Sequence, residues 1–223
     1  MKKVHYLLAA VTLGMSGAAS ALSITTDQGD QCFTSGGAPA NCVAVSAARS
    51  NAASITDGDA STFFSLGVAN ANGGPGSVTV NVSPLVFDGD IFAIEITNGN
   101  PNGNYPESAI FTFTGSSPSS TIRVDNLSAA FAGTNGLTAT SSNVGNQSVL
   151  TILLGANSFD TLVITDNTFA DYAASYVNRR SDGFDLGELR FATTPFNQVP
   201  APGAMVLLGL GLLGMGAMRR RAR

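Results

Sequence analysis

The chain has 223 residues, with eleven basic side chains against fifteen acidic ones and only 12% charged residues overall. Six of the basic residues sit at the two ends, so residues 22–202 hold five arginines, no lysine and no histidine beside all fifteen carboxylates, a formal charge of −10. Such a body lacks the cations that phosphate recognition draws on, which excludes nucleic acid as a partner, and it lacks the imidazole and amine groups of most hydrolytic, redox and Schiff-base chemistry.

At the N-terminus, Lys2 and Lys3 precede an apolar run over residues 4–15 and the small-residue sequence Ala19-Ser20-Ala21. This is the layout of a cleaved export signal and predicts removal of residues 1–21, leaving Leu22 as the mature start. Cys32 and Cys42 follow, with nine residues between them. In an oxidising destination such a pair predicts a disulfide closing a small Gly/Pro/Asn loop; no C-x-x-C spacing points to redox chemistry.

Helical periodicity in the body is confined to residues 43–51 and 169–178, each one or two turns long. Strand patterning is stronger. Alternation or β-branched enrichment predicts strands at residues 77–82, 90–97, 109–114, 121–125, 148–154, 159–165 and 187–191, with Gly/Asn/Pro/Ser turn clusters between several of them. This pattern predicts a single all-β domain over residues 22–195, an antiparallel β-sandwich of jelly-roll-like type.

The most patterned loop runs through Asp57-Gly58-Asp59 to Thr62-Phe63-Phe64 and offers hard oxygen donors of the kind Ca²⁺ takes, without the further ligands of an EF-hand. This stretch, with Ser181-Asp182-Gly183-Phe184-Asp185-Leu186-Gly187-Glu188-Leu189-Arg190-Phe191 near the other end, resembles the first and last blocks of discoidin-like, galactose-binding-fold sandwiches. The resemblance implies a structural Ca²⁺ held by Asp57, Asp59, Thr62 and Glu188 with backbone carbonyls. The bland alternative is a pair of ordinary Asx turns with Phe63, Phe64 and Phe184 in the core.

The same resemblance, together with Tyr105, Tyr172 and Tyr176 in loop-like surroundings, points to a second reading, a non-catalytic carbohydrate-binding module whose tyrosines stack on sugar faces. Carboxylate pairs such as Asp57/Asp59, Asp88/Asp90 and Asp182/Asp185 could in principle serve a glycosidase. Nothing in the sequence singles out an acid of raised pKa, and the expectation is that the protein is not an enzyme.

Beyond the body, residues 196–202 read as a linker broken by Pro200 and Pro202. Residues 203–218 form an uninterrupted Gly/Ala/Leu/Met/Val run, and Arg219, Arg220, Arg221 and Arg223 close the chain. Sixteen residues of helix rise about 24 Å, close to the hydrocarbon thickness, and the arginines predict a cytoplasmic tail at 219–223 with everything upstream outside. The order of these three parts resembles the PEP-CTERM sorting signal, with Ala201 standing between Pro200 and Pro202 where that family carries glutamate. The resemblance implies handling by an exosortase-type protease, anchoring in the inner membrane with the body in the periplasm, and release to the cell surface. The resulting expectation is an exported structural protein of the envelope or of a biofilm-type extracellular matrix, with extracellular polysaccharide as a further partner.

Overall fold

A computed structural model describes residues 23–59, 61–70, 73–82, 90–96, 105–115, 118–145 and 147–191. The expected signal peptide at 1–21, linker at 196–202, membrane helix at 203–218 and basic tail at 219–223 lie outside the described residues. Among the described residues no helix is long and apolar enough to cross a membrane.

Among the described residues thirteen strands build the body: β1 (Ser23–Asp27), β2 (Asp30–Ser35), β3 (Ala38–Ala44), β4 (Phe64–Ser65), β5 (Ser77–Asn81), β6 (Ile91–Ile96), β7 (Ser108–Thr114), β8 (Ser120–Asp125), β9 (Ala130–Ala132), β10 (Thr138–Val144), β11 (Gln147–Leu153), β12 (Thr161–Asp166) and β13 (Asp185–Phe191). One short helix, α1 (Thr168–Tyr172), and single 3₁₀ turns at Ala47–Arg49, Ala52–Ile55, Thr134–Gly136 and Ala173–Tyr176 decorate them. The strands form a five-stranded sheet in the order β1-β5-β12-β7-β8, a six-stranded sheet in the order β4-β13-β6-β11-β10-β9, and a separate β2-β3 ribbon. Every pairing is antiparallel, as the expected sandwich requires.

Period-two alternation explains how the sheets close on each other. In the first sheet Val78, Ile164, Phe111 and Ile122 pair across β5, β12, β7 and β8 to make one inward row, and Val80, Leu162 and Phe113 make the next. In the second sheet Ile91, Ile152, Ala139 and Phe131 line up across β6, β11, β10 and β9. These rows merge into one core, tied by edge-on ring pairs between Phe111 and Phe184 and between Phe113 and Phe159, with ring centres 6.3 and 5.1 Å apart. Burying such side chains is worth about 1.5–3 kcal/mol each, the main term holding the layers together.

All seven expected strands are present, with ends shifted by two residues or fewer. The structure adds β1, β2, β3, β4, β9 and β10. The cysteine loop proves to be the β2-β3 hairpin, reversed at Gly36-Gly37, whose φ values of 60° and 85° fit the two-residue turn that matches strand twist. The expected helix at 43–51 gives way to the end of β3 and a single 3₁₀ turn at Ala47–Arg49. Valine and alanine at 43 and 44 pair with β2 instead, across the Cys32–Cys42 bridge.

Candidate functional site

The disulfide between Cys32 and Cys42 is formed, and Cys32 is completely buried. The bridge ties β2 to β3 within the ribbon, and hydrogen bonds hold the ribbon against the segment after α1: the Cys32 and Ser181 amides donate to each other's carbonyls at 2.9 Å, and the Thr34 hydroxyl donates to the Ala173 carbonyl at 2.7 Å.

The Asp57 loop is exposed and largely satisfies itself. Asp57 accepts from the Asp59 amide through one oxygen and from the Thr62 hydroxyl through the other, both at 2.8 Å. Asp59 accepts from the hydroxyl and amide of Ser61 at 2.6 and 2.9 Å, which holds its carboxyl below the usual carboxylate range. Glu188 lies apart in chemistry: it is buried on β13, and both its oxygens accept from Arg190, at 2.6 and 2.7 Å. The structure thus joins Asp57, Asp59 and Thr62 in one turn and pairs Glu188 with Arg190 on β13.

The carboxylates that do converge, among the described residues, are Glu107, Asp182 and Asp185, with oxygens all within 4.8 Å of one another. They meet where β4 joins the start of β13. Arg49 donates to Asp182, and the Ser65 hydroxyl lies between Asp182 and Asp185 and serves both. Gln28 braces the same corner by donating to the carbonyls of Ser65 and Arg49, at 2.7 and 3.0 Å. Burial alone would lower the Arg49 pKa, but the charges of Asp182, Asp185 and Glu107 outweigh it and leave it raised. The guanidinium therefore brings positive charge to the edge of this cluster, bonded to Asp182 alone of the three carboxylates.

The three tyrosines have different fates. Tyr176 is fully buried against Phe169, with its hydroxyl donating to the Pro106 carbonyl at 2.8 Å, so it offers no face to a sugar. Burial pushes its pKa well up. Tyr172 is half-buried and receives a hydrogen bond at 3.2 Å from Arg123, whose guanidinium also lies 5.9 Å from its ring centre. Tyr105 is 42% exposed, with Arg179 at 4.4 Å from its ring centre and 5.2 Å from that of Tyr176. Arginine on an aromatic face is a favourable stack, and here it makes a rigid edge beside α1.

All five body arginines are engaged in this way. Arg49 and Arg123 pair with carboxylates and cover the rings of Phe63 and Tyr172, Arg179 stacks between two tyrosines, Arg180 covers Phe33 at 4.8 Å, and Arg190 holds Glu188. The acidic excess is therefore not offset by unengaged cations on the body. Of the carboxylate pairs considered from sequence, Asp88 lies outside the described residues. The buried Asp166, which closes β12, drew no notice in the sequence because it follows the last apolar residue of its strand.

The sorting residues Pro200, Ala201, Pro202, Arg219, Arg220 and Arg221 lie outside the described residues. Comparison with curated proteins and with solved structures gave no match. Residues 198–221 do match the PEP-CTERM protein-sorting motif, which marks the chain as a protein exported and sorted at the membrane to the cell exterior by an exosortase.

Proposed function

We propose that this chain delivers a passive structural component to the cell envelope or extracellular matrix, using its C-terminal motif for sorting and its β-sandwich as the displayed part. The observation that carries this reading is the sorting motif at residues 198–221. The disulfide-clamped ribbon and the internally engaged arginines support it, because both suit a rigid domain outside the cell. In this reading the body is held in the periplasm by residues 203–218 until the tail is processed.

A body with a formal charge of −10 and no unengaged arginine repels acidic polysaccharide unless a divalent cation bridges the two. Neutral polysaccharide is the partner this surface suits. Pull-down of the secreted protein with neutral and acidic polysaccharides, with and without Ca²⁺, tests the proposal. Weak, non-saturable association with neutral chains, no hydrolysis, and acidic chains retained only with Ca²⁺ are the expected results. Turnover of any glycan overturns it.

One observation favours carbohydrate-binding activity as the second reading. Tyr105 is exposed and backed by the Arg179 guanidinium, a rigid aromatic platform of the kind sugars stack on. Saturable binding to one defined glycan, lost in Tyr105→Ala and kept in Tyr176→Phe, would move this reading to the front.

A further inference from the structure

Asp166 continues the inward row of β12 after Leu162 and Ile164, so the same alternation that buries those side chains carries its carboxylate inside. Only 3% of the residue is exposed. Oδ1 accepts from the Thr168 hydroxyl at 2.7 Å and the Phe184 amide at 2.8 Å, and Oδ2 accepts from the Thr168 amide at 3.2 Å. All three partners donate, so the corner is arranged around the charged form. A carboxylate offers about four acceptor positions. Gly183 crowds Oδ1, where a Cβ would lie 2.8 Å away, and the remaining position belongs to Oδ2.

The charge that this geometry favours has no counter-charge. The body has neither lysine nor histidine, and its five arginines are engaged with Asp182, with Asp125 and Asp171, with the Tyr105 and Tyr176 rings, with the Phe33 ring and with Glu188. The charge of Asp182 reaches Asp166 and only adds to the negative field. A buried carboxylate is costly unless a cation pairs with it, and burial here pushes the carboxyl up to about 7 despite the three donors.

Asp166 forms part of the wall of a recess of about 200 Å³ that opens to the outside between α1, the ribbon and the loop before β5. A cavity of about 150 Å³ is enough for benzene, so a short aliphatic chain fits. Pro39, Val68, Pro75 and Phe169 supply apolar wall, and the other polar side chain among the described lining residues is Asn167, whose amide already donates to Asp171. Two polar side chains fall far short of the six to eight oxygens that Ca²⁺ takes. An organic ammonium has the opposite needs, one anion for its head and apolar or aromatic surface for its stem.

We propose that this recess is a binding site for an aliphatic primary ammonium ion, its head paired with Asp166 and its stem lying along Val68, Pro75 and Phe169. The body has no lysine of its own to fill the site, so the amine comes from another molecule.

Titration of the full-length chain, in an uncharged detergent at about pH 8 where the carboxylate is charged, with n-butylammonium chloride tests the site. Saturable shifts of the Thr168 amide and Phe169 ring signals are expected, and 1-butanol or sodium chloride at equal concentration should not reproduce them. Asp166→Asn should weaken binding by about tenfold or more. If that variant does not fold, Ala170→Phe, which narrows the recess from the exposed side of α1 and leaves Asp166 in place, should abolish the shifts. Absence of saturable shifts, equal binding of 1-butanol, or unchanged binding in a folded variant overturns the proposal. Glucosamine, an amine with hydroxyls where the stem would meet apolar wall, should bind more weakly, and equal or tighter binding overturns the aliphatic assignment.

Discussion

Arg49 and Asp182 stand 133 residues apart in the chain, yet the guanidinium of one donates directly to the carboxylate of the other. The pair fastens the 3₁₀ turn at Ala47–Arg49 to the loop that starts β13, and it supplies the positive charge within the cluster of Glu107, Asp182 and Asp185. Removing Arg49 leaves three carboxylates crowded together, two of them buried. Arg49→Ala is therefore expected to lower stability by about 2–3 kcal/mol. Asp182→Asn in the same chain should restore part of that loss, because it removes one of the repelling charges. Urea unfolding of the two variants checks both statements.

The backbone passes itself closely at Gly76. A Cβ there would lie 1.7 Å from the Leu66 carbonyl oxygen, which already accepts the Gly29 amide at 2.8 Å. Gly76 also donates to the Gly67 carbonyl and accepts the Asp166 amide, both at 3.0 Å, so it cannot move aside without breaking bonds on two sides. Gly76→Ala should cost about 3 kcal/mol or more. Gly74→Ala, whose nearest neighbour is a side-chain oxygen at 3.7 Å, should stay within about 0.5 kcal/mol. Thermal melting of both variants separates the two cases.

Reducing the Cys32–Cys42 bridge should lower stability by about 2–3 kcal/mol, the chain-entropy value for a loop of this length. The loss concentrates in the ribbon, since its contacts with Ser181 and Ala173 run through backbone and hydroxyl groups that survive reduction. Hydrogen exchange with and without reductant should show amides of β2 and β3 exposed first, while those of β7 and β12 keep their protection.

Arg123 sets the acid limb of stability. Burial disfavours charge on Asp125 and Asp171. Arg123 hydrogen-bonds to both, the Leu127 and Ser128 amides add to Asp125, and Ser108 and Asn167 add to Asp171. The sum holds both carboxyls below the usual range. Groups of lowered pKa stabilise the fold above their unfolded value and lose that contribution as pH falls. Asp166 has the opposite sign and loses its contribution as pH rises toward about 7. The stability optimum set by these three groups lies on the acid side of neutrality, and Arg123→Gln should flatten only the limb below about pH 4. Melting temperatures across pH 2–8 measure both limbs.

What the sequence disclosed follows from which side chains carry period. Val78 and Val80 alternate with polar residues, as do Phe111 and Phe113, and Leu162-Val163-Ile164 is a β-branched-rich apolar run, so β5, β7 and β12 were readable in advance. β10 was not, because Thr138–Val144 is mostly exposed and its Thr, Ser and Asn residues look like a turn cluster. The same blindness hid Asp166: alternation carries one more inward position, two residues past Ile164, but a carboxylate reads as the end of a strand. Tyr176 failed in the other direction, since its hydroxyl suggested a surface role while the ring packs on Phe169. Arg49 with Asp182 has no local signal at all, because only the completed fold brings those loops together.

The most direct test of the central claim is intact-mass analysis of the protein recovered from the cell exterior, in cells with and without exosortase activity. The account predicts a chain starting at Leu22 and lacking the arginine tail in the first case. In the second, a chain that keeps residues 203–223 should stay with the membrane. A full-length tail on extracellular protein in both strains would contradict sorting through residues 198–221.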